Sequence, residues 1–333
     1  MNSFHQGLIL PWLAGISSVL FAVLFVSFLY LFPLPAHATK APSSPSPQHI
    51  YQIQRPLDRD HPLVIQQRIK GILLTMIVVP VYLWIVFTST GVFPVDMSLW
   101  TRMGHFFRLL GLTIPATNPI KALNHIVLPV LLVAILFLGP LMMQFLDREL
   151  PFQARFHWSV QRRYLTSWIG IRNYIVGPIA EEFIFRACMV AVVSYSGASI
   201  RSMVFGLPMV FGIAHLHHAY GTFVKNGRTR QALIQAGLIA LVQLTYTTLF
   251  GWFATFLFLR TSSLLGPSLS HSFCNLMGFP DVSSIEGHGS WKKWVYVGFI
   301  LGMVFFGVLV GPMTSPGLYG DESSCAYWSI AVR

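Results

Sequence analysis

The chain has 333 residues, of which 54% are hydrophobic and only 10% are charged. Soluble domains carry about 25% charged residues, so this composition excludes an ordinary soluble protein and indicates a polytopic membrane protein built of helices. A net charge of +11 would suggest nucleic-acid binding in a soluble protein, but here the distribution of Lys and Arg among the loops explains it, and no nucleic-acid partner is expected.

The first apolar run, residues 8–32, is long enough to cross a bilayer. We interpret residues 1–33 as an N-terminal membrane anchor helix. A signal peptide is the alternative, because Ala36-His37-Ala38 resembles a cleavage site, although no Lys or Arg precedes the run. Residues 34–64 are rich in proline and serine and are predicted to form a cytosolic loop.

A polytopic catalytic domain is predicted over residues 65–312, followed by a polar C-terminal tail at residues 313–333. Counting the anchor, we expect an all-α protein with about eight transmembrane helices, some of them short or broken. Residues 94–121 are interpreted as a loop with one interfacial helix. The remaining spans are predicted at residues 71–93, 125–145, 179–195, 203–215, 232–259, 262–277 and 294–309.

The loop at residues 147–172 interleaves arginines with aromatic and aliphatic residues. This pattern is typical of an amphipathic helix on an anionic membrane surface, and a plain solvated loop is the alternative. With eight crossings, the odd-numbered loops carry most of the Lys and Arg residues. The asymmetry predicts that these loops lie in the cytosol and that both termini are lumenal.

Two acidic residues, Glu181 and Glu182, lie inside an apolar run. An ionisable group at mid-bilayer costs roughly 2.5–3.5 kcal/mol, so such groups are usually paired and functional. Gly177-Pro178 predicts a helix start near the proline. Glu182 and Arg186 are four residues apart and are expected to pair, which leaves Glu181 without a local partner. One structural network of all three charges is the alternative.

Two histidines also lie in apolar surroundings. His271 and Asn275 are four residues apart and therefore share a helical face. A lone membrane histidine usually bonds to a neighbouring helix, and this interpretation, or simple exposure, is preferred for His217 and His218. For His215 and His271 the presence of a buried glutamate favours a catalytic role.

These residue types suit hydrolysis. A glutamate and a histidine can together hold a water molecule and take its proton, while a second histidine and an asparagine can donate to an oxyanion. Cys274 is an alternative nucleophile, although no electropositive helix start is evident beside it. A zinc site is a second alternative, because glutamate and histidine are good ligands, but the His-Glu-x-x-His pattern is absent.

Three ordered motifs resemble those of the type II CAAX prenyl endopeptidase family, which also includes bacterial relatives. The flanking sequences are similar to the eukaryotic branch, and the resemblance covers about residues 120–310. The motifs are Glu181-Glu182-x-x-x-Arg186, Phe211-x-x-x-His215 and His271-x-x-x-Asn275.

The resemblance implies a protease of the endoplasmic reticulum membrane that removes the last three residues from prenylated Cys-a-a-X proteins, such as small GTPases. It implies that Glu181 and His215 activate water, that His271 and Asn275 stabilise the oxyanion, and that no metal or cofactor takes part. Glu182 and Arg186 are expected to support the site. We expect the catalytic groups in an intramembrane cavity that is open to the cytosol and to lipid.

Other functions remain open on the residues alone. A transporter or proton-relay protein also uses buried Glu and His, although the inverted repeats typical of transporters are not evident. A catalytically inactive scaffold is disfavoured by the intact motif residues. A membrane peptidase of the bacterial type, acting on peptides without a prenyl group, would carry the same site.

Overall fold

A computed structural model of the chain describes residues 7–34, 57–114, 118–320 and 327. Within these ranges the protein is helical and has no strand, which confirms the predicted all-α class. Most of the predicted loop at residues 34–64, the Ala36-His37-Ala38 sequence and most of the tail lie outside the described residues. The described end of that loop is attached to the bundle by an ion pair of 2.9 Å between Arg172 and Asp60.

Twelve helices are labelled here in chain order. The seventh, α7, spans residues 168–194 and is called the central helix. The others are α1 (Pro11–Phe28), α2 (Pro62–Ser89), α3 (Leu99–Leu109), α4 (Pro119–Leu136), α5 (Leu138–Leu146), α6 (Trp158–Leu165), α8 (Ile200–Ala214), α9 (Leu216–Lys225), α10 (Arg230–Thr261), α11 (Leu265–Met277) and α12 (Lys292–Met313).

Six helical segments in the described part are long and apolar enough to cross a membrane, which supports the polytopic prediction. The central helix and α11 complete the eight predicted apolar units. With 13 residues, α11 is about 20 Å long and too short to cross a hydrocarbon core of about 30 Å. The six spans are Pro11–Phe28, Pro62–Ser89, Pro119–Leu136, Ile200–Lys225, Arg230–Thr261 and Val282–Met313.

Helix starts follow local sequence signals. α4 begins with Pro119 after Asn118, whose side chain accepts a hydrogen bond from the backbone of Lys121. Proline suits the first helical position because a backbone N–H there would have no partner within the helix. The side chain of Asn118 accepts a hydrogen bond from one of the other free N–H groups of the first turn. The side chain of Thr229 caps α10 in the same manner.

The central helix alternates between α and π geometry. Its α segments are Trp168–Ile171, Gly177–Glu182 and Met189–Ser194, and its π segments are Arg172–Val176 and Phe183–Cys188. The prediction of a helix start near Pro178 was therefore wrong, because the chain is already helical from Trp168. The π turn before Gly177 lets the helix continue through a proline that cannot donate a backbone hydrogen bond.

The core surrounds the second half of the central helix, where every side chain from Phe183 to Val192 is buried. α1, α2 and α10 contact this half of the central helix, and α11 packs on the preceding residues 172–182. The first part of α10, as far as Leu249, exposes most of its large apolar side chains. An exposed apolar surface of this extent is expected to face lipid.

The chain after α12 returns to the bundle. Arg260, near the end of α10, donates to the carbonyl of Thr314 at 3.1 Å and to that of Gly311 at 3.0 Å. The ring of His125 in α4 donates to the carbonyl of Tyr319 at 3.1 Å, and the side chain of Tyr319 is fully buried. Residues 311–319 are thus part of the packed structure.

Candidate active site

The central helix carries a buried ion pair. The guanidinium Nε of Arg186 lies 3.1 Å from Oε2 of Glu182, and the two side chains are 1% and 0% exposed. This contact confirms the pairing predicted from their spacing. Removing one partner of such a pair leaves an uncompensated buried charge, so the two residues are expected to depend on each other.

Aromatic faces surround the guanidinium of Arg186. Its Cζ lies 4.3 Å from the centroid of the Phe211 ring and 5.8 Å from that of Phe250. α10 approaches closely at Gly251, where a Cβ atom would lie 3.1 Å from Nη2 of Arg186. Cation–π contact and close packing therefore hold the guanidinium in one place, away from bulk solvent.

His271 lies between the two acids. Its Nδ1–H donates to Oε1 of Glu182 at 2.8 Å, while its Nε2 lies 3.9 Å from Oε2 of Glu181. The bond to Glu182 orients the ring and determines which nitrogen faces Glu181. His271 of the third motif thus contacts both glutamates of the first motif.

His215 ends α8 and is oriented by its own helix. Nδ1–H donates to the carbonyl of Phe211 at 2.8 Å, so a neutral ring carries its lone pair on Nε2. The rings of His215 and Phe211 are 4.5 Å apart at their centroids. Because Phe211 also contacts Arg186, one phenyl ring joins the second motif to the buried ion pair.

Asn275 connects α11 to the first π segment. Its amide donates to the carbonyl of Asn173 at 2.8 Å, and the hydroxyl of Ser272 donates to the carbonyl of Tyr174 at the same distance. Pro178, which is five and four residues further on, has no N–H to offer these carbonyls. The amide of Asn275 supplies the missing donor to Asn173, and the single hydroxyl hydrogen of Ser272 is shared between the carbonyls of Tyr174 and Ser268, the latter at 2.9 Å.

The two glutamates differ in access. The side chain of Glu182 is fully buried, whereas that of Glu181 is 23% exposed and that of His271 is 11% exposed. Asn275 is exposed and His215 is half-buried. Glu181 is therefore the more accessible of the two acids.

Several neighbours were not predicted from the sequence. Phe250 packs on His271 with ring centroids 4.8 Å apart. His217 and Tyr246 both lie within electrostatic range of Glu181. His217 donates through Nδ1 to the carbonyl of Ala214, the last residue of α8. The aromatic residues lie on α10, which carries no motif, so only the helix packing reveals them.

Metal and cavity predictions remain open. Among the described residues, no three His, Cys, Asp or Glu side chains are grouped closely enough to hold a metal ion. Cys274 is half-buried, three residues after His271. Two cavities border α11, and none of the four predicted catalytic side chains lines either of them. The expected cavity around those four groups stays a prediction.

Comparison with known proteins gives a consistent result. A family model described as type II CAAX prenyl endopeptidase Rce1-like matches residues 163–277. CAAX prenyl protease 2 of Homo sapiens is 37% identical over 284 residues, which are 83% of this chain and 80% of the human protein. The probable CAAX prenyl protease 2 of Schizosaccharomyces pombe is 31% identical over 290 residues, 87% of this chain and 89% of the yeast protein. No solved structure matches the chain.

Proposed function

Because the chain belongs to the type II CAAX prenyl endopeptidase family, we propose that this membrane peptidase removes the C-terminal aaX tripeptide from farnesylated or geranylgeranylated CaaX proteins. Small GTPases are the expected class of substrate. A prenyl chain partitions into lipid, so a site within the bilayer meets the scissile bond where the membrane delivers it.

One observation carries the proposal: accessible Glu181 lies beside a histidine whose other nitrogen is held by a buried ion pair. This difference in exposure assigns the reaction to Glu181 and the positioning of the His271 ring to Glu182. A carboxylate reachable by water can act as a general base, while the sealed pair of Glu182 and Arg186 keeps the imidazole of His271 in place.

The reaction begins with a water molecule held between Glu181 and Nε2 of His215. As the water oxygen attacks the carbonyl carbon of the prenylated cysteine, its proton passes to Glu181. The tetrahedral intermediate then collapses, the peptide C–N bond breaks, and the released amine takes the proton. The products are a new cysteine carboxylate and a free tripeptide. General base catalysis of this kind contributes roughly 10²–10⁴-fold.

The oxyanion is stabilised by His271 and Asn275. Because Nδ1–H of His271 already donates to Glu182, the ring must be an imidazolium to donate from Nε2 as well. The amide of Asn275 has two hydrogens, so donating one to Asn173 leaves one for the oxyanion.

The test is a cleavage assay in vesicles on a prenylated CaaX peptide and its unprenylated twin. We expect cleavage of the prenylated peptide and at least tenfold slower cleavage of the twin. Glu181→Gln should abolish turnover while the protein still accumulates in membranes. Equal rates on both peptides would instead indicate a peptidase of the bacterial type, and retained turnover in the variant would remove Glu181 as the base.

The proposed location is the endoplasmic reticulum membrane, with the active site open to the cytosol and both termini in the lumen. The distribution of Lys and Arg among the loops supports this orientation. Labelling of single cysteines introduced in the loops of intact microsomes is the direct measurement. Modification of a residue in the loop at 147–157 by an impermeant reagent added outside is expected, and protection there would reverse the orientation.

A further inference from the structure

A cavity of about 860 Å³ lies beside α11, away from the four predicted catalytic side chains. It is an open cleft lined by α5, α6, the loop between them and the end of α11, with Leu141, Trp158 and Phe273 among its walls. Ligand sites in proteins typically measure about 300–1,000 Å³, so the space is large enough for a bound molecule.

An apolar trough continues from the cavity. A second space of about 220 Å³ shares Leu165, Phe273 and Leu276 with the first and extends along α11 to Val130 in α4. Because the two spaces share these side chains, they are neighbours along one helix. We call them together the α11 groove. It has a wide, partly polar end and a narrow, apolar end.

The wide end of the groove is cationic. Arg155 and Arg162 line it, both are exposed, and neither takes part in an ion pair with a described residue. Glu149 is the one acidic residue among the lining side chains. A ligand that satisfies this end should therefore carry negative charge, because arginine pairs well with phosphate and carboxylate groups.

The surroundings indicate a membrane surface. α6 has no buried side chain and exposes Trp158, Val160 and Tyr164 together with its arginines. Apolar and aromatic side chains mixed with arginines on a short exposed helix are typical of the interface between headgroups and acyl chains. The groove thus begins at headgroup depth and becomes apolar as it follows α11.

We propose that the α11 groove binds an anionic phospholipid, with the phosphate at Arg155 and Arg162 and one acyl chain along Phe273 and Leu276. A prenylated substrate also combines an isoprenoid chain with a terminal carboxylate, but none of the four predicted catalytic side chains lines the groove, so a substrate held there would lie away from them. A phospholipid satisfies both ends of the groove. The inference rests on the groove itself and does not require the proposed catalytic mechanism.

Occupation of the groove has a consequence for the site. Phe273 and Leu276 face the groove, whereas His271 and Asn275 lie on the adjacent face of the same helix. A bound acyl chain fills the space between α11 and α4, so it restricts the movement of the helix that carries both residues. Turnover is therefore expected to fall when the lipid is absent.

The test compares two charge-matched double variants of the full-length protein, reconstituted in phosphatidylcholine nanodiscs with and without phosphatidylserine. Arg155→Gln with Arg162→Gln removes the groove arginines, and Arg148→Gln with Arg163→Gln removes two neighbouring ones that do not line it. Retention of phosphatidylserine is measured by native mass spectrometry. We expect the groove variant to lose about tenfold or more in retention, whereas the control stays near wild type.

A second variant tests the volume of the wide end, which Leu141 lines. Leu141→Trp fills the cavity without changing charge and should also reduce retention, with an unchanged melting temperature as the check on folding. Equal losses in the groove and control double variants would overturn the proposal, because they would indicate general surface attraction. Displacement of the lipid by a farnesylated peptide, with photolabelling of Phe273 or Leu276, would also overturn it and assign the groove to substrate.

Discussion

The side-chain amide of Asn275 donates to the backbone carbonyl of Asn173 at 2.8 Å, where the backbone itself has no donor to offer. In the π register that carbonyl would be bonded by residue 178, which is proline. A residue expected to stabilise the oxyanion therefore also attaches α11 to the central helix. Experiments at Asn275 can therefore separate its catalytic role from its packing role.

A double-mutant cycle between Asn275→Ala and Pro178→Ala measures the packing contribution. We expect Asn275→Ala alone to cost about 1 kcal/mol in unfolding free energy, because a carbonyl loses its partner. Alanine at position 178 restores a backbone N–H, so the double variant should recover at least about 0.5 kcal/mol. Unfolding in detergent and peptide cleavage are both measured.

The matched control for this cycle is Pro80→Ala, which changes a helix-interior proline in α2. It should show no coupling with Asn275→Ala. Activity should stay low in the Asn275→Ala and Pro178→Ala double variant even though stability recovers. Recovery of both quantities would mean that Asn275 acts on structure alone.

Glu182→Gln should destabilise the fold. The substitution leaves the guanidinium of Arg186 buried among aromatic rings with no carboxylate, and breaking such a pair costs about 3–5 kcal/mol. Glu286→Gln removes a pair with Lys292 whose side chains are 63% and 43% exposed, so water and salt already screen the pair and the variant should change stability little. Thermal unfolding compares them, and similar losses would contradict the structural role of Glu182.

His271→Gln distinguishes an oxyanion donor from a base. Glutamine can donate a hydrogen bond but cannot take a proton at neutral pH. If His271 donates to the oxyanion, the variant should lose roughly 10²–10³-fold in kcat, less than Glu181→Gln loses. Single-turnover cleavage gives both values. A loss equal to that of Glu181→Gln would instead identify His271, oriented by Glu182, as the base.

Gly251→Ala should destabilise the protein by about 1–3 kcal/mol through overpacking. Its Cβ would lie 2.6 Å from Cβ of Pro208 and 3.1 Å from Nη2 of Arg186. Gly237→Ala on the same helix has no atom within 4 Å of its Cβ and should leave stability unchanged or raised. The measurement is the melting temperature of the two variants in the same detergent. Equal melting temperatures would contradict the close packing at Gly251.

Chelation should leave turnover intact. The resemblance implies a glutamate mechanism without metal, and a proton-transfer role for Glu181 needs no Lewis acid. Activity is measured after dialysis against EDTA and against 1,10-phenanthroline. Inhibition that added zinc reverses would instead require a metal bound at the site.

Local contacts were predictable from the sequence. The pair of Glu182 and Arg186 follows from helical spacing alone, since residues four apart share a face. The apolar runs predicted the eight helical units because the bilayer sets their length and composition. These features depend on neighbours along one helix or on the surrounding lipid. Both can be inferred from residue spacing and from the length of apolar runs.

Contacts between helices were not predictable. The bond between His271 and Glu182 joins residues 89 positions apart, and no spacing rule relates them. Phe250 reaches His271 and Arg186 from a helix without a motif. The helix start near Pro178 was predicted because proline favours a first turn, but a π turn and donors from α11 provide another solution. Such compensation depends on tertiary packing.

The return of the chain after α12 limits where the protein can be shortened. Arg260 depends on the carbonyls of Gly311 and Thr314, and the ring of His125 depends on that of Tyr319. Trimming at residue 310 would remove every one of these acceptors at once. A stable core fragment, by limited proteolysis or by design, should therefore keep its backbone through residue 320.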